Sequence, residues 1–412
     1  MAAFLPETDS EDELPGEWEE RATVSGSVYY ANHTNSSTQW THPRTGKRKT
    51  VSANLPFGWE RLVLEDKKVV YVDNINKRTS YTDPRLAFAK EESGSGFRQK
   101  HDASSSAGQV LHGLDLSGRT AVVTGGSSGV GLHTALALAR QQCRVLLACR
   151  DPARAELAVD KIREVRPGAE VEWLDLDLAS LQSVRRLAAL VKVRLSQLDY
   201  LVLSAGVYLT EYRLTEDGLE EMMQVNYLAN FLLTDLLLPV LLRAASPRVV
   251  TVSSESHRFS QISASNPPSS LHFRPGPAQF SPILQYNDTK LFCLLLSRAL
   301  HTQYHQAGLQ SASVHPGNLL PTNLHRHSLA HSLLATLARP FTKDLSQAAA
   351  SLVFALCGEE ELLAGPDHLY INNCFPTRPS EAAASQELSR ALWDNSVLAL
   401  QQILGHNWRT EP

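Results

Sequence analysis

The chain has 412 residues, a length for two or three domains rather than one. Hydrophobic residues make up 43% and charged residues 20%, which excludes a wholly disordered, collagen-like or coiled-coil protein. A net charge of −4 gives no basic excess for nucleic acid, and the five cysteines form no CxxC pair, so no disulfide framework and no metal site is expected, and a cytoplasmic setting is.

Residues 1–11 carry no basic n-region and turn acidic at Glu7, Asp9 and Glu11, so no secretory signal is read there. Up to residue 86 the chain is rich in Trp, Tyr, Thr and Asn and reads as short strands and turns. It also repeats. Leu14-Pro-Gly-Glu-Trp18 returns as Leu55-Pro-Phe-Gly-Trp59, Val28-Tyr29-Tyr30 as Val70-Tyr71-Val72, and Thr38-Gln-Trp40-Thr-His-Pro43 as Thr79-Ser-Tyr81-Thr-Asp-Pro84. One unit spans 12–45 and the other 53–86.

These landmarks resemble the WW domain, a three-stranded all-β unit. The resemblance implies a buckle of Trp18, Tyr30 and Pro43, repeated as Trp59, Val72 and Pro84. It implies a slot of Tyr29 and Trp40 for the proline rings of a Pro-Pro-x-Tyr ligand, with His33 reading the ligand tyrosine. In the second unit Tyr71 and Tyr81 are read as the slot and Ile75 as the residue in place of the histidine, which predicts poor binding or a role as a structural chaperone. Between the units, Arg44 and Gly46-Lys-Arg-Lys49 read as a nuclear-import patch or an ordinary solvated connector.

Residues 87–116 are polar and Gly/Ser-rich and read as a flexible linker. From 117 to 412, strand-like runs alternate with amphipathic stretches, the rhythm of a doubly wound parallel sheet of Rossmann type. Ala121-Val-Val-Thr leads into Gly125-Gly126-Ser127-Ser128-Gly129-Val130-Gly131, a turn that brings backbone close to a pyrophosphate at a helix start. The next strand ends in Arg150 rather than an acid, which selects the 2′-phosphate of NADP(H). Asp177 is placed at the adenine, with Asp175 the competing residue. Ser204 and Gly206 end a fourth strand beneath the nicotinamide ribose.

A fifth strand ends in Ser253-Ser254. Tyr286 and Lys290, four apart, share one face of the helix that follows. An ammonium beside a phenol favours its ionised form, so such a tyrosine can exchange a proton with a carbonyl oxygen. Ser254 is placed to hold the substrate oxygen. The most apolar run, Phe231–Leu242, is interrupted by Thr234, Asp235 and Pro239 and is too short to span a bilayer, so no transmembrane segment is expected.

In this order the motifs of residues 119–375 resemble the short-chain dehydrogenase/reductase family. The resemblance implies a catalytic set of Asn226, Ser254, Tyr286 and Lys290, and a loop of Pro316, Gly317 and Thr322 that grips the nicotinamide. Ser204 stands where that family has asparagine. Ser254 and Tyr286 are thirty-two residues apart. The added stretch, Phe259–Pro282, is read as a loop over the substrate cleft, and the spacing resembles the retinol-dehydrogenase branch with its lipophilic alcohols and ketones. WW units joined to such a reductase imply an oxidoreductase directed to Pro-Pro-x-Tyr proteins, with roles in apoptosis, transcription, Wnt signalling and tumour suppression and locations in nucleus, mitochondrion and Golgi as well as cytoplasm. The alternative is a scaffold whose reductase fold only binds cofactor.

Overall fold

The computed structural model describes residues 14–92, 100–317, 344–358, 365 and 369–409, less 16, 24–25, 44, 46, 53, 57 and 65–68. The acidic tail at 1–11 and Thr322 lie outside the described residues. The chain divides into two compact units, 1–100 and 101–412.

The first unit holds two small antiparallel sheets: β1 (Trp18–Ala22), β2 (Val28–Asn32) and β3 (Ser37–Gln39), then β5 (Trp59–Val63), β6 (Val69–Asp73) and β7 (Arg78–Ser80). Between the sheets, β4 (Arg48–Thr50) pairs with β8 (Lys90–Glu92). Side chains alternate faces along a strand, so Val28 and Tyr30 turn inward while Tyr29 stays half-exposed. Trp18, Val51, Leu86 and Ala89 join Val28 and Tyr30 in one cluster, so the end of the second repeat helps to fill the core of the first.

The strand registers correct the repeat alignment. Trp18 faces Asn32 as Trp59 faces Asp73, and Tyr30 faces Gln39 as Tyr71 faces Ser80. Every position therefore recurs forty-one residues on, from Trp18 to Trp59 and from Tyr30 to Tyr71. The counterparts of Tyr29, Tyr30 and His33 are Val70, Tyr71 and Asn74, not Tyr71, Val72 and Ile75. A slip of one residue exchanges the two faces of a strand, which is why matching Tyr-Tyr to Tyr-Val misplaced them. Tyr71 is only 6% exposed, and its hydroxyl donates to Asp83 Oδ2 at 2.8 Å. It fills the inner place that Tyr30 holds edge-on to His42, at 5.2 Å between ring centroids.

Asp83 also receives Arg85, whose Nη2 donates to its Oδ2 at 2.7 Å and to the Thr23 carbonyl at 3.0 Å, while Nη1 donates to the Ser52 carbonyl. Burial pushes the Asp83 pKa up, but the bonds from Arg85 and Tyr71 outweigh it and hold the carboxyl below its ordinary value. A depressed carboxylate contributes stability above about pH 4 that is lost as the pH falls through the lower folded value. Asp83→Asn should therefore weaken the first unit at neutral pH by about 3 kcal/mol and flatten its acid limb, read by amide exchange in β5–β7 of the full chain. An unchanged acid limb would show that Asp83 does not carry it.

In the second unit, a short helix α1 (Ala107–Val110) begins at a capping box in which Ser106 and Gln109 satisfy each other's backbone N–H groups. It buries Ala107 and Leu111 against the core. Thus residues 87–116, expected as a flexible linker, contain two ordered pieces, β8 and α1. Composition reads as polar there because only a few apolar side chains anchor them.

The fold then runs β9 (Thr120–Thr124), α2 (Gly129–Arg140), β10 (Arg144–Cys149), α3 (Pro152–Val165), β11 (Val171–Asp175), α4 (Leu181–Arg194) and β12 (Tyr200–Leu203). A helix follows as α5 (Glu221–Met223), one π-helical turn (Gln224–Leu228) and α6 (Ala229–Leu241). After it come β13 (Arg248–Val252), α7 (Ser270–Phe273), α8 (Pro282–Tyr304), β14 (Gln310–His315), α9 (Leu345–Cys357), β15 (Tyr370–Asn372), β16 (Phe375–Pro376) and α10 (Gln386–Leu404). Strand order is β11-β10-β9-β12-β13-β14-β15-β16, parallel except for β16, as the doubly wound reading expects. Ala121 and Val123 of β9 enter one core and Val122 the other, because helices cover both faces of the sheet.

The helix from Glu221 to Leu241 has the length and apolarity to cross a membrane, but it is almost wholly buried against the sheet and α4. The stretch Phe259–Pro282 is not a lid. Phe273 stacks on Tyr227 at 6.2 Å within the core, and among the described residues none of the stretch lines the cavity described below. Its buried anchors Ile262 and Phe273 hold it down.

Candidate active site

The cavity lies at the carboxyl ends of the strands, where the order reverses between β9 and β12, the place at which such sheets bind ligands. It has a volume of about 560 Å³. Gly125 and Ser127–Gly131 form one wall. Gly125 and Gly129 have φ of +66° and +55°, which favours glycine. A Cβ on Gly131 would stand 2.5 Å from Ser204 Oγ and 2.7 Å from the Gly125 carbonyl oxygen. Backbone thus lies bare along a helix start, which is what a pyrophosphate requires. Gly126 does not line the cavity. A Cβ there would meet Leu147 at 2.8 Å, so it serves packing behind the turn. Ser204 hydroxyl donates to the Thr124 carbonyl, and Thr124 Oγ1 accepts from Ala205 N at 3.2 Å. The serine in the place of asparagine therefore braces the glycine turn.

At the far end, Arg150 Nη1 lies 3.6 Å from Asp177 Oδ1, and both residues line the cavity. Asp175, on β11, does not. Sequence reasoning missed Arg154, which also lines the cavity and sits 3.3 Å from Asp151. Its signal was present: Asp151 reads as the cap of α3, and Arg154, whose N–H that cap receives, lies in the first turn of the helix that starts beside Arg150. Two guanidinium groups lining one cavity suit a phosphate.

At the other end of the cavity, Ser254, Tyr286, Lys290, Gly206, Pro316 and Gly317 come together. Lys290 Nζ donates to the Val252 carbonyl at 3.0 Å and lies 5.3 Å from the centre of the Tyr286 ring. Ser253 and Ser254 both line the cavity, but the Ser253 hydroxyl is committed to the Lys290 carbonyl at 2.7 Å. Ser254 Oγ accepts from Ser256 N at 3.2 Å, so its own proton is available. Asn226 stands behind the wall. Its Oδ1 accepts from Val207 N at 2.7 Å and its Nδ2 donates to Val207 O at 2.9 Å. The π-helical turn places it there, and such turns occur often at functional sites. Tyr208, also missed in the sequence, meets Tyr286 edge-on at 5.4 Å.

On the first repeat, Tyr29 and Trp40 stand edge to face with centroids 5.9 Å apart, and Trp40 is 53% exposed. His33 Nε2 lies 2.8 Å from Glu19 Oε2, which also accepts from Arg21 at 2.8 Å. The hydrogen bond from Arg21, joined by His33, holds the Glu19 carboxyl below its usual range.

The family model for a short chain dehydrogenase matches residues 119–270, and that for a WW domain matches residues 14–43. The chain is 48% identical over 408 residues to the WW domain-containing oxidoreductase of Homo sapiens, covering 98% of each. The chain belongs to the WW domain-containing oxidoreductase family. The chain is also 34% identical to retinol dehydrogenase 12 of Mus musculus, over 72% of this chain and 89% of that one. An uncharacterized protein from Mycobacterium paratuberculosis shares the fold, with a TM-score of 0.55 at 30% identity over 71% of this chain and 97% of that chain. The second unit is thus an oxidoreductase of the short-chain dehydrogenase kind, whose glycine cradle fits a nicotinamide dinucleotide. The WW module takes proline-rich peptides.

Gly131→Ala should weaken cofactor binding at least tenfold, because the Gly125 carbonyl cannot withdraw from a new Cβ. Calorimetric titration with NADPH reads the effect. Adding Ser204→Ala should not restore binding, and restoration would place the clash elsewhere.

Proposed function

We propose that the second unit is an NADP(H)-dependent oxidoreductase for lipophilic alcohols and carbonyls, brought to Pro-Pro-x-Tyr proteins by the first WW unit. One observation carries the catalytic reading: Ser254, Tyr286 and Lys290 meet on one wall of the cavity that begins at the glycine turn. A bound nicotinamide supplies hydride chemistry there. Ser254 donates its free hydroxyl proton to the substrate oxygen and orients it. Tyr286 hands its phenolic proton to that oxygen in reduction and takes it back in oxidation. Lys290, anchored at the Val252 carbonyl, holds its Nζ 5.3 Å from the centre of the Tyr286 ring. Asn226 holds Val207 and so the shape of the wall.

Arg150, with Arg154 beside it, supports a preference for NADP(H). The likeness to a protein named retinol dehydrogenase supports a lipophilic substrate. Pro-Pro-x-Tyr recognition rests on the exposed Tyr29–Trp40 slot with His33 beside it. Roles in apoptosis, transcription and Wnt signalling would run through those partners, a reading that rests on family likeness alone.

Tyr286→Phe removes the proton donor and little volume, so it should abolish turnover of retinal with NADPH and leave cofactor affinity near the parent value. Turnover that survives would remove Tyr286 from the mechanism. Arg150→Asp should reverse the preference for NADPH over NADH, and equal affinity in the parent would contradict the assignment. In the first unit, Trp40→Ala should eliminate binding of a labelled Pro-Pro-x-Tyr peptide. In the second, the corrected register calls for Val70→Tyr, Asn74→His and Tyr81→Trp together to create it. Fluorescence titration of full-length variants, with Trp40→Ala as the background for the second unit, checks both.

A further inference from the structure

His257 lies in the 3₁₀ turn Glu255–Phe259, three residues beyond Ser254, and is 1% exposed. Its Nδ1 is 2.7 Å from the Ser254 carbonyl oxygen. Its Nε2 is 3.2 Å from the backbone N of Ser380, in the segment that precedes α10. A carbonyl can only accept and a backbone N–H can only donate. The two partners therefore dictate one form of the ring: neutral, with the proton on Nδ1 and a lone pair on Nε2. We propose that His257 is a positioning residue for the reaction, a neutral clamp that holds the backbone of Ser254 against Ser380 and releases it when protonated.

The surroundings are built for this. Tyr370 of β15 meets the ring edge-on at 5.0 Å. Its hydroxyl donates to Glu255 Oε1 at 2.6 Å, and Arg258 Nε donates to Glu255 Oε2 at 2.6 Å. Arg258 Nη2 also donates to the Arg378 carbonyl at 2.8 Å, a second tie between the turn and the segment of Ser380. The groups that face the ring are thus an acid already paired twice, the arginine that pairs it, and a phenol; His315 stands beyond, acting on Glu255. Burial pushes the His257 pKa down; the Ser254 carbonyl opposes this in part, Arg258 adds to it, and Glu255 opposes it. A second proton would point Nε2–H at Ser380 N–H, two donors without an acceptor, and would part the clamp. Nδ1–H would still hold the Ser254 carbonyl, but Ser254 would lose its tie through the ring to Ser380 while its hydroxyl stays in the cavity.

The inference rests on the proposed role of Ser254, and two measurements on the full chain separate the two. The first is nitrogen NMR of ¹⁵N-histidine-labelled protein, with His257→Gln for assignment. A protonated Nδ1 and a bare Nε2 at pH 7, titrating below the ordinary histidine range, are expected. An Nε2–H tautomer, or a doubly protonated ring at pH 7, overturns the clamp. The second is the pH profile of NADPH oxidation with retinal. His257→Asn keeps an N–H for the Ser254 carbonyl but carries neither a titrating ring nor an acceptor for Ser380 N–H, so it should show the lowered kcat of the protonated parent at every pH and no acid-side fall. His257→Leu keeps neither bond and should lower kcat about tenfold or more with NADPH affinity unchanged. If both variants match the parent in rate and profile, the clamp has no part in positioning. If the parent turns over no carbonyl, the catalytic reading fails while the NMR result still decides the clamp.

Discussion

Parallel strands leave a sheet at the same edge, and the site depends on that constraint. β9 through β15 run in one direction, so the residues that follow them meet along one line. The glycine turn follows β9, Arg150 follows β10, Asp177 lies two residues past β11, Ser204 follows β12, Ser254 follows β13 and Pro316 follows β14. None of these would be neighbours in an antiparallel sheet of the same sequence. The price is that both faces must be covered, and the alternating halves of β9 and β10 enter two separate cores to do so.

Short polar bonds then turn strand ends into a shaped wall. Lys290 is held from β13 by Val252, and Ser253 reaches back to the Lys290 carbonyl, so helix and strand fix each other. Asn226 takes both backbone groups of Val207, and the π-helical turn lets one residue leave the helical repeat to do it. Ser204 and Thr124 brace the glycine turn in the same way. Buried polar groups that are fully paired make a rigid surround, which is what an orienting site needs.

The parts legible in the sequence were those with a local signature. A strand followed by a glycine turn and a helix start, and a Tyr and Lys one helical turn apart, have few readings. The parts that were not legible depend on contacts between distant segments. Whether Val70 or Tyr71 faces the slot is decided by pairing with Leu62 and Arg61, a matter of register rather than residue type. The stretch Phe259–Pro282 reads as a loop because Pro and Ser dominate it, yet two side chains, Ile262 and Phe273 stacked on Tyr227, anchor it in the core. In the connector, the same holds for Leu111 and for the pairing of β4 with β8. Asp83 and Arg85 look like ordinary turn residues until their bonds to Tyr71, Ser52 and Thr23 bind the two repeats into one unit.

The first unit recognises and the second reacts, and each carries its chemistry in its own fold. The second unit is an oxidoreductase rather than a platform. The most direct measurement is the fate of a label: full-length protein is given NADPH deuterated at the reactive nicotinamide carbon together with retinal or a ketosteroid, and the alcohol is examined by mass spectrometry. An alcohol carrying one deuterium on its carbinol carbon is expected, and none from protein with Lys290→Met. Tight NADPH binding with no labelled alcohol from any aldehyde or ketone would contradict it.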